Sequence, residues 1–147
     1  WYNTAPTSTV FYVGNLNETN GSNDYVAYCF AEVEGYSKFG SYTANNNADG
    51  PFVYTGFRPA FVIIKETSTG NWNMLDSTRN PANVMGELLY AESFTTPGTF
   101  TLVDFLSNGF KLRVAGSNIN DASATYVYMA FAEHPFGGSG VSPATAR

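Results

Sequence analysis

The chain has 147 residues, of which 44% are hydrophobic, 16% are aromatic and only 13% are charged. Disordered chains combine few aromatic residues with many charges, so this composition excludes intrinsic disorder. The net charge of −5 excludes a sequence-independent nucleic-acid binder, which needs Lys and Arg to neutralise phosphates. The sequence has no apolar run long enough to cross a bilayer, and we expect no membrane insertion.

Alternating hydrophobic residues between turn signals predict a series of short strands. The predicted strands span residues 8–14, 24–32, 37–44, 51–55, 59–66, 71–76, 99–106, 109–115 and 124–133. The strongest hairpin signal is Asn108-Gly109, because this pair accepts the positive φ angles of a type I′ turn. Residues 82–92 could form a short helix, which Gly86 disfavours. Strands of this length and spacing predict an all-β fold, an antiparallel β-sandwich or jelly roll with little or no helix.

An internal repeat bears on the domain organisation. Residues 25–32 read Tyr-Val-Ala-Tyr-Cys-Phe-Ala-Glu and residues 126–133 read Tyr-Val-Tyr-Met-Ala-Phe-Ala-Glu, so five of eight positions are identical at an offset of 101 residues. This offset is the size of a domain, whereas solenoid repeats span roughly 20–50 residues. One interpretation makes residues 1–33 the terminal hairpin of a preceding repeat unit, 34–133 one β-sandwich unit and 134–147 a Gly/Ser/Pro-rich C-terminal tail. In the alternative, both hairpins belong to one pseudo-symmetric sandwich.

The second copy of the repeat predicts which face of its strand is buried. Val127, Met129 and Phe131 alternate along one face, and this face is more apolar than the other. We therefore expect it to lie in the core. The first copy contains Cys29, the single cysteine, which its apolar surroundings identify as a small buried hydrophobic residue.

The ionisable residues form no catalytic pattern. Glycoside hydrolysis needs two carboxylates in one cleft, but Glu32, which lies close to Glu34 in sequence, is the repeat partner of Glu133, which has no second acid nearby. A catalytic triad needs a His base, and the single histidine, His134, precedes Pro135 in the predicted tail. We therefore expect no catalytic residue and no enzyme activity.

We also expect no metal and no cofactor. One Cys and one His cannot supply the three or four ligands, roughly, of a zinc site. Residues 45–50 resemble the start of a calcium loop, but the Glu that such a loop needs at its twelfth position is replaced by Gly56. Asp76 is expected to cap the segment that follows it and to pair with Arg79.

Asn71, Trp72 and Asn73 form the candidate ligand-binding site. They follow the turn at Gly70, and loops at the ends of a sandwich commonly carry binding residues. Trp offers a face that stacks on a sugar ring, and the two Asn side chains offer amide donors and acceptors. The alternative is that Trp72 lies in the core.

Four segments, residues 25–43, 56–65, 104–113 and 126–133, together resemble the C-terminal repeat domain of tailed-bacteriophage virion proteins. This tail-fibre or tail-protein family is frequent in marine phages, and the resemblance covers nearly the whole chain. It implies a structural protein of the extracellular virion that is made in the host cytoplasm. Its implied partners are other virion proteins and further copies of itself, as a homo-oligomer for which fibres suggest a trimer. The resemblance supplies no catalytic residue.

Three functional hypotheses follow. The leading one is a tail-fibre or spike domain that binds a host-surface receptor, a glycan. The alternative is a capsid-decoration or head-fibre domain with no ligand. The third, a polysaccharide depolymerase, is disfavoured because paired carboxylates are scarce.

Overall fold

The computed structural model describes residues 4–94 and 98–135. The chain forms two compact units, Trp1–Phe30 and Ala31–Arg147. This boundary lies three residues before the one that the repeat suggests, and the assignment of residues 1–33 to a preceding unit remains a prediction. Most of the predicted tail, residues 136–147, lies outside the described residues.

In the first unit, the one regular element among residues 4–30 is a four-residue helix, α1 (Asn17–Asn20). The carbonyl of Leu16 accepts hydrogen bonds from the backbone N–H groups of Thr19 and Asn20, at 3.0 and 2.8 Å. The strands predicted at 8–14 and 24–32 are therefore wrong. A two-stranded hairpin is at best marginally stable in water unless a further strand or helix packs against it. Cys29, which was expected to be buried, is exposed.

The second unit consists of antiparallel strands, so the all-β prediction is confirmed. The strands are β1 (Ser37–Thr43), β2 (Phe52–Tyr54), β3 (Pro59–Glu66), β4 (Trp72–Asp76), β5 (Met85–Tyr90), β6 (Gly98–Leu106), β7 (Gly109–Leu112) and β8 (Thr125–Ala132). They form one nearly closed sheet in the order β1-β8-β3-β4-β5-β6-β7-β2. Strands β3 to β7 follow one another as a meander, whereas β8, which comes after them in sequence, lies between β1 and β3.

Strand β5 replaces the short helix considered for residues 82–92, and that possibility is wrong. Asn83 precedes the strand and binds the backbone of Phe105 on β6 twice: its Nδ2 donates to the carbonyl at 3.0 Å, and its Oδ1 accepts from the N–H at 2.9 Å. Gly86 allows β5 to approach β6, because a Cβ at this position would lie 1.7 Å from the carbonyl oxygen of Phe100. Pairing with β6 therefore outweighs the helix-like pattern of the sequence.

The core lies on the face of β8 opposite to the predicted one. The buried residues of this strand are Tyr126, Tyr128, Ala130 and Ala132, whereas Val127 is 42% exposed. Tyr126 stacks on Tyr42 with ring centroids 5.2 Å apart, and its Oη accepts a hydrogen bond from the backbone N–H of Asp121 at 3.1 Å. A tyrosine whose hydroxyl finds a partner can be buried as fully as an aliphatic residue.

Phe131, on the other face of β8, belongs to a second aromatic group. It is only half-buried. Its ring makes edge-on contacts with Tyr36 at 5.8 Å and Phe39 at 6.1 Å, and a tilted contact with Phe61 at 6.4 Å. Phe131 on the outer face of β8 is thus partly covered by neighbouring aromatic rings, and this face does not form the core.

The buried face of β8 leads to a first prediction. Ala130→Leu should lower the free energy of unfolding by about 1–3 kcal/mol, because Ala130 is fully buried and a larger side chain overpacks its site. Val127→Leu, three residues away on the exposed face, should change it by less than about 0.5 kcal/mol. Denaturant unfolding of both variants measures the difference. An equal loss in the two variants would show that the buried face has been assigned incorrectly.

Tyr42 leads to a second prediction, because burial and the neighbouring Tyr126 raise its pKa above the ordinary value. Its hydroxyl donates to the carbonyl of Ile119 at 2.6 Å. In the unfolded chain Tyr42 ionises near pH 10, roughly, so its contribution to stability is complete below that pH and is lost as the pH rises further. Tyr42→Phe should remove part of the alkaline loss of stability in denaturant unfolding between pH 8 and 11. The exposed Tyr54→Phe is the control, and equal slopes for the two variants would contradict the prediction.

Candidate functional site

Strand β4 separates the side chains of the Asn71–Asn73 segment. Trp72 is 46% exposed and points outward, Asn73 is fully buried and points inward, and Asn71 is half-buried just before the strand. Successive side chains on a strand point to opposite faces, so Trp72 and Asn73 cannot contact the same small ligand from one face. The alternative that Trp72 lies in the core is wrong.

Asn73 is held by three backbone carbonyls. Its Nδ2 donates to Asn71 at 2.9 Å and to Ile64 and Asn118 at 3.2 Å each. Only the amide nitrogen can donate to carbonyls, so these contacts fix the orientation of the side chain. The Oδ1 atom is buried and accepts no hydrogen bond within the described parts of the chain. An unpaired buried acceptor costs about 1–3 kcal/mol.

Asn73 lines a cavity of about 130 Å³. The other lining residues come from β5, β6 and the loop between β7 and β8: Leu88, Tyr90, Phe100, Leu102, Ser117, Asn118 and Ile119. Phe100 is 52% exposed, so the cavity reaches the surface at its ring. The volume is comparable with a cavity of about 150 Å³ that holds one benzene molecule. The cavity therefore has room for a group of about one six-membered ring.

A second buried asparagine fixes the loop that forms one wall of this cavity. Asn120 is fully buried, and its Nδ2 donates to the carbonyls of Val114 at 2.6 Å and Asn47 at 2.9 Å. Its Oδ1 accepts from the backbone N–H of Asn45 at 3.0 Å. These bonds join the loop before β8 to the loop after β1. The wall formed by residues 117–119 is therefore fixed before any ligand enters.

Sequence reasoning identified Asn73 and missed the rest of the cavity. Leu88 and Tyr90 lie on β5, where no strand was predicted, and Phe100 lies on β6. Asn118 belongs to a loop without a recognised motif. No short spacing joins these residues in the sequence. The pairing of β4 with β5 and of β5 with β6 brings them together.

The two other polar segments singled out in the sequence have structural contacts. Asp76 Oδ1 accepts from the backbone N–H groups of Thr78 at 3.0 Å and Arg79 at 2.8 Å, and its Oδ2 pairs with Arg79 Nε at 2.5 Å. Burial by itself would raise the pKa of Asp76, but the hydrogen bonds from Arg79 and Thr78 lower it. In the loop at 45–50, Asp49 pairs with Lys111 at 2.7 Å, and this pairing lowers the pKa of Asp49.

Glu32 and Glu34 line a different cavity, of about 350 Å³, together with Lys38 and Tyr54. Lys38 Nζ pairs with Glu32 Oε1 at 2.5 Å. Within residues 4–94 and 98–135, no three His, Cys, Asp or Glu side chains lie close enough to hold a metal ion. In the same residues, no helix is long and apolar enough to cross a membrane.

The environment of Asn73 gives a third prediction. In Asn73→Asp, an oxygen would replace Nδ2 against the carbonyls that now accept from it, and at pH 7 the group would also carry a buried charge. The substitution should lower the free energy of unfolding by at least about 3 kcal/mol at pH 7. The loss should be smaller at pH 4, because burial raises the pKa of this carboxyl and a protonated carboxyl can donate one hydrogen bond. Denaturant unfolding at both pH values tests this, with the half-buried Asn71→Asp as control. A loss that is equal in the two variants, or that does not depend on pH, would contradict this description of the site.

Comparison with known proteins gives a family and no closer relative. The search of curated proteins and the search of solved structures found no match. The family model that matches covers residues 1–135. The chain therefore belongs to the family described as a domain of unknown function, DUF7483.

Proposed function

We propose that the chain is a sugar-binding domain of a virion structural protein, a tail fibre or spike that attaches to a glycan on the host surface. The observation that carries the binding part is the open cavity that Asn73, Tyr90 and Phe100 line. The virion part is inferred from the resemblance of the sequence segments to phage virion proteins.

A neutral sugar suits this cavity chemically. Its hydroxyl groups can hydrogen-bond to polar groups of the wall, and its apolar ring face can lie against Phe100 or Tyr90. Ser117 and Asn118 add polar groups to the wall. None of the eight lining residues carries a charge. An ionic ligand would therefore enter the cavity without a charged partner, which is unfavourable.

The site would bind without chemical change to the ligand. Asn73 is already oriented by its three donated hydrogen bonds, and the loop wall is fixed by Asn120, so binding costs little ordering of the protein. A cavity of this size contacts only part of a glycan, and each site should therefore bind weakly. A homo-oligomer assembled with other virion proteins, such as a trimeric fibre, would raise the avidity by presenting several sites at once.

Titration with neutral sugars tests the proposal and gives a fourth prediction. Amide chemical shifts around residues 73, 88–90 and 117–119 should change on addition of neutral monosaccharides or of uncharged oligosaccharides from bacterial surfaces. Phe100→Ala should weaken binding about tenfold, a loss of about 1.4 kcal/mol. The affinity should be nearly the same at low and high salt, because salt screens interactions between charges and no charged residue lines the cavity.

Phe94→Ala is the matched control, because Phe94 is fully exposed and does not line this cavity. Trp72→Ala separates the two faces of β4: it should leave binding in the cavity intact, whereas a loss of binding would move the site to the outer face. If no neutral sugar shifts these signals, or if Phe94→Ala weakens binding as much as Phe100→Ala does, the sugar-binding proposal is wrong.

The second candidate function is a structural domain without a ligand, such as a capsid decoration or head fibre. Exposed apolar side chains in the first unit favour it, since Val26 is 79% and Tyr28 is 83% exposed. Contiguous exposed apolar residues are typical of surfaces that bind another protein. This observation concerns assembly and does not compete with a ligand in the cavity.

A further inference from the structure

We infer that residues 25–31, which form no strand within this chain, become one when they complete the sheet of a second unit of this fold, in the position that β8 occupies in its own unit. The inference does not depend on sugar binding. It starts from the repeat, in which residues 25–32 share five of eight positions with residues 126–133. Because β8 is a strand with a defined place in the sheet, the repeat can be tested against the requirements of that place.

The place of β8 is a slot with hydrogen-bonding partners on both sides. Residues 125–131 of β8 pair with β1, and residues 126–132 pair with β3, both in antiparallel register. A unit of this fold without its own last strand would therefore expose two unpaired strand edges that face one another. Such edges bind an added strand through backbone hydrogen bonds, and the side-chain positions select its sequence.

A strand that fills the slot needs small inward-facing side chains near its C-terminal end. Ala130 is fully buried and Ala132 is 9% exposed. In the repeat alignment these positions correspond to Cys29 and Ala31, both small, and Tyr126 corresponds to Tyr25. The two copies of the repeat differ greatly in side-chain size at one inward position, where Ala27 corresponds to Tyr128.

In this chain the segment is not used as a strand. Residues 24–30 are not assigned to a strand in the described structure. Val26 and Tyr28 are among the most exposed large hydrophobic residues, and Cys29 is an exposed free thiol. The slot of the chain's own second unit is filled by β8. The partner that fits the segment is therefore a second unit of the same fold that lacks its last strand.

The segment ends close to the first strand of its own chain's sheet. Ser37 Oγ donates to the carbonyl of Ala31 at 3.0 Å, and the N–H of Tyr36 donates to the carbonyl of Val33 at 3.0 Å. Six residue steps separate Ala31 from the start of β1 at Ser37, a span of at most about 20 Å. Two units joined in this way would be immediate neighbours in an array.

A tandem fusion tests the inference, with Cys29 as the probe. A second copy of residues 34–120, which contains β1 to β7, is joined in front of residue 20, so that residues 25–31 follow it at the spacing of β8. We expect Cys29 to react with a disulfide reagent such as 5,5′-dithiobis(2-nitrobenzoate) at least tenfold more slowly in the fusion than in the chain itself. Circular dichroism and the amide spectrum report whether both units are folded.

Two variants of the fusion provide the matched comparison. Ala27→Asp introduces a charge on the inward face and should restore the reactivity of Cys29. Val26→Asp introduces the same charge on the outward face, where the equivalent Val127 is 42% exposed, and should leave Cys29 protected. Protection that both variants retain would have another source and would overturn the inference.

A further variant covers the case in which the first fusion does not fold. Ala27→Tyr restores the large side chain that Tyr128 provides in β8. If Cys29 is protected only in this variant, the natural segment does not fit the slot and the inference fails. If Cys29 reacts freely in every fusion, the inference fails as well.

Discussion

The position of β8 in the middle of the sheet is the constraint on which the rest of the second unit depends. This strand comes last among the described strands, but it pairs with β1 and β3 along almost its whole length. Its inward tyrosines contact Tyr42 and Phe110, which lie on β1 and on β7 at the other end of the strand order. The core is therefore complete only when the last of the described strands has joined the first. Contacts between residues so distant in sequence are costly to close and make such folds slow to form.

The candidate site depends on the same sheet through two buried amides. Asn73 bonds the backbone of Ile64 on β3, the neighbour of β8, and Asn120 joins the loop before β8 to the loop after β1. A charged side chain in either place would need a buried partner of opposite sign, and taking charges out of water is expensive. An amide donates and accepts without that cost. The sequence has few charged residues and many Asn residues, and buried Asn side chains hold its loops in place where a charged residue would be costly.

Sequence patterns predicted most strands of the second unit because these strands alternate and end at turns. The hairpin of β6 and β7 forms as expected, but its two turn residues are Ser107 and Asn108, because Gly109 already pairs with Leu106. The expected positive φ angles at Asn108 and Gly109 are wrong. The prediction failed where pairing partners decide the structure. Residues 82–92 have a helix-like pattern, yet they form β5, because Asn83 hydrogen-bonds to β6 and Gly86 lets the two strands approach closely. The apolar count on β8 selected the wrong face, because it ignores the hydrogen bond that allows Tyr126 to be buried. Strands at 8–14 and 24–32 were predicted from a pattern that needs a sheet to pack against.

The candidate site shows the same limit. Asn73 was identified because Asn71, Trp72 and Asn73 together suggested a ligand-binding site. That prediction placed Trp72 in the same site, whereas the alternation of β4 points the two side chains to opposite faces. The aromatic residues that share the cavity with Asn73 are Tyr90 and Phe100, on strands whose register is set by the bulge at Gly86. A pattern of side chains along one segment cannot specify which residues of another segment will stand opposite.

The slot of β8 and the cavity of Asn73 involve different parts of one sheet. The slot is bounded by β1 and β3, whereas the cavity is lined from β4, β5, β6 and the loop that precedes β8. None of the residues that line the cavity belongs to β8 or to the segment at 25–31. Filling the slot of one unit with a strand from the next would therefore use no group that the cavity needs. An array built in this way multiplies weak and identical sites along one polypeptide, and linked weak sites gain avidity when the spacing lets them engage together. A unit with a small preformed cavity and a strand to donate is suited to repetition, since each added unit supplies both the next binding site and the strand that completes its neighbour.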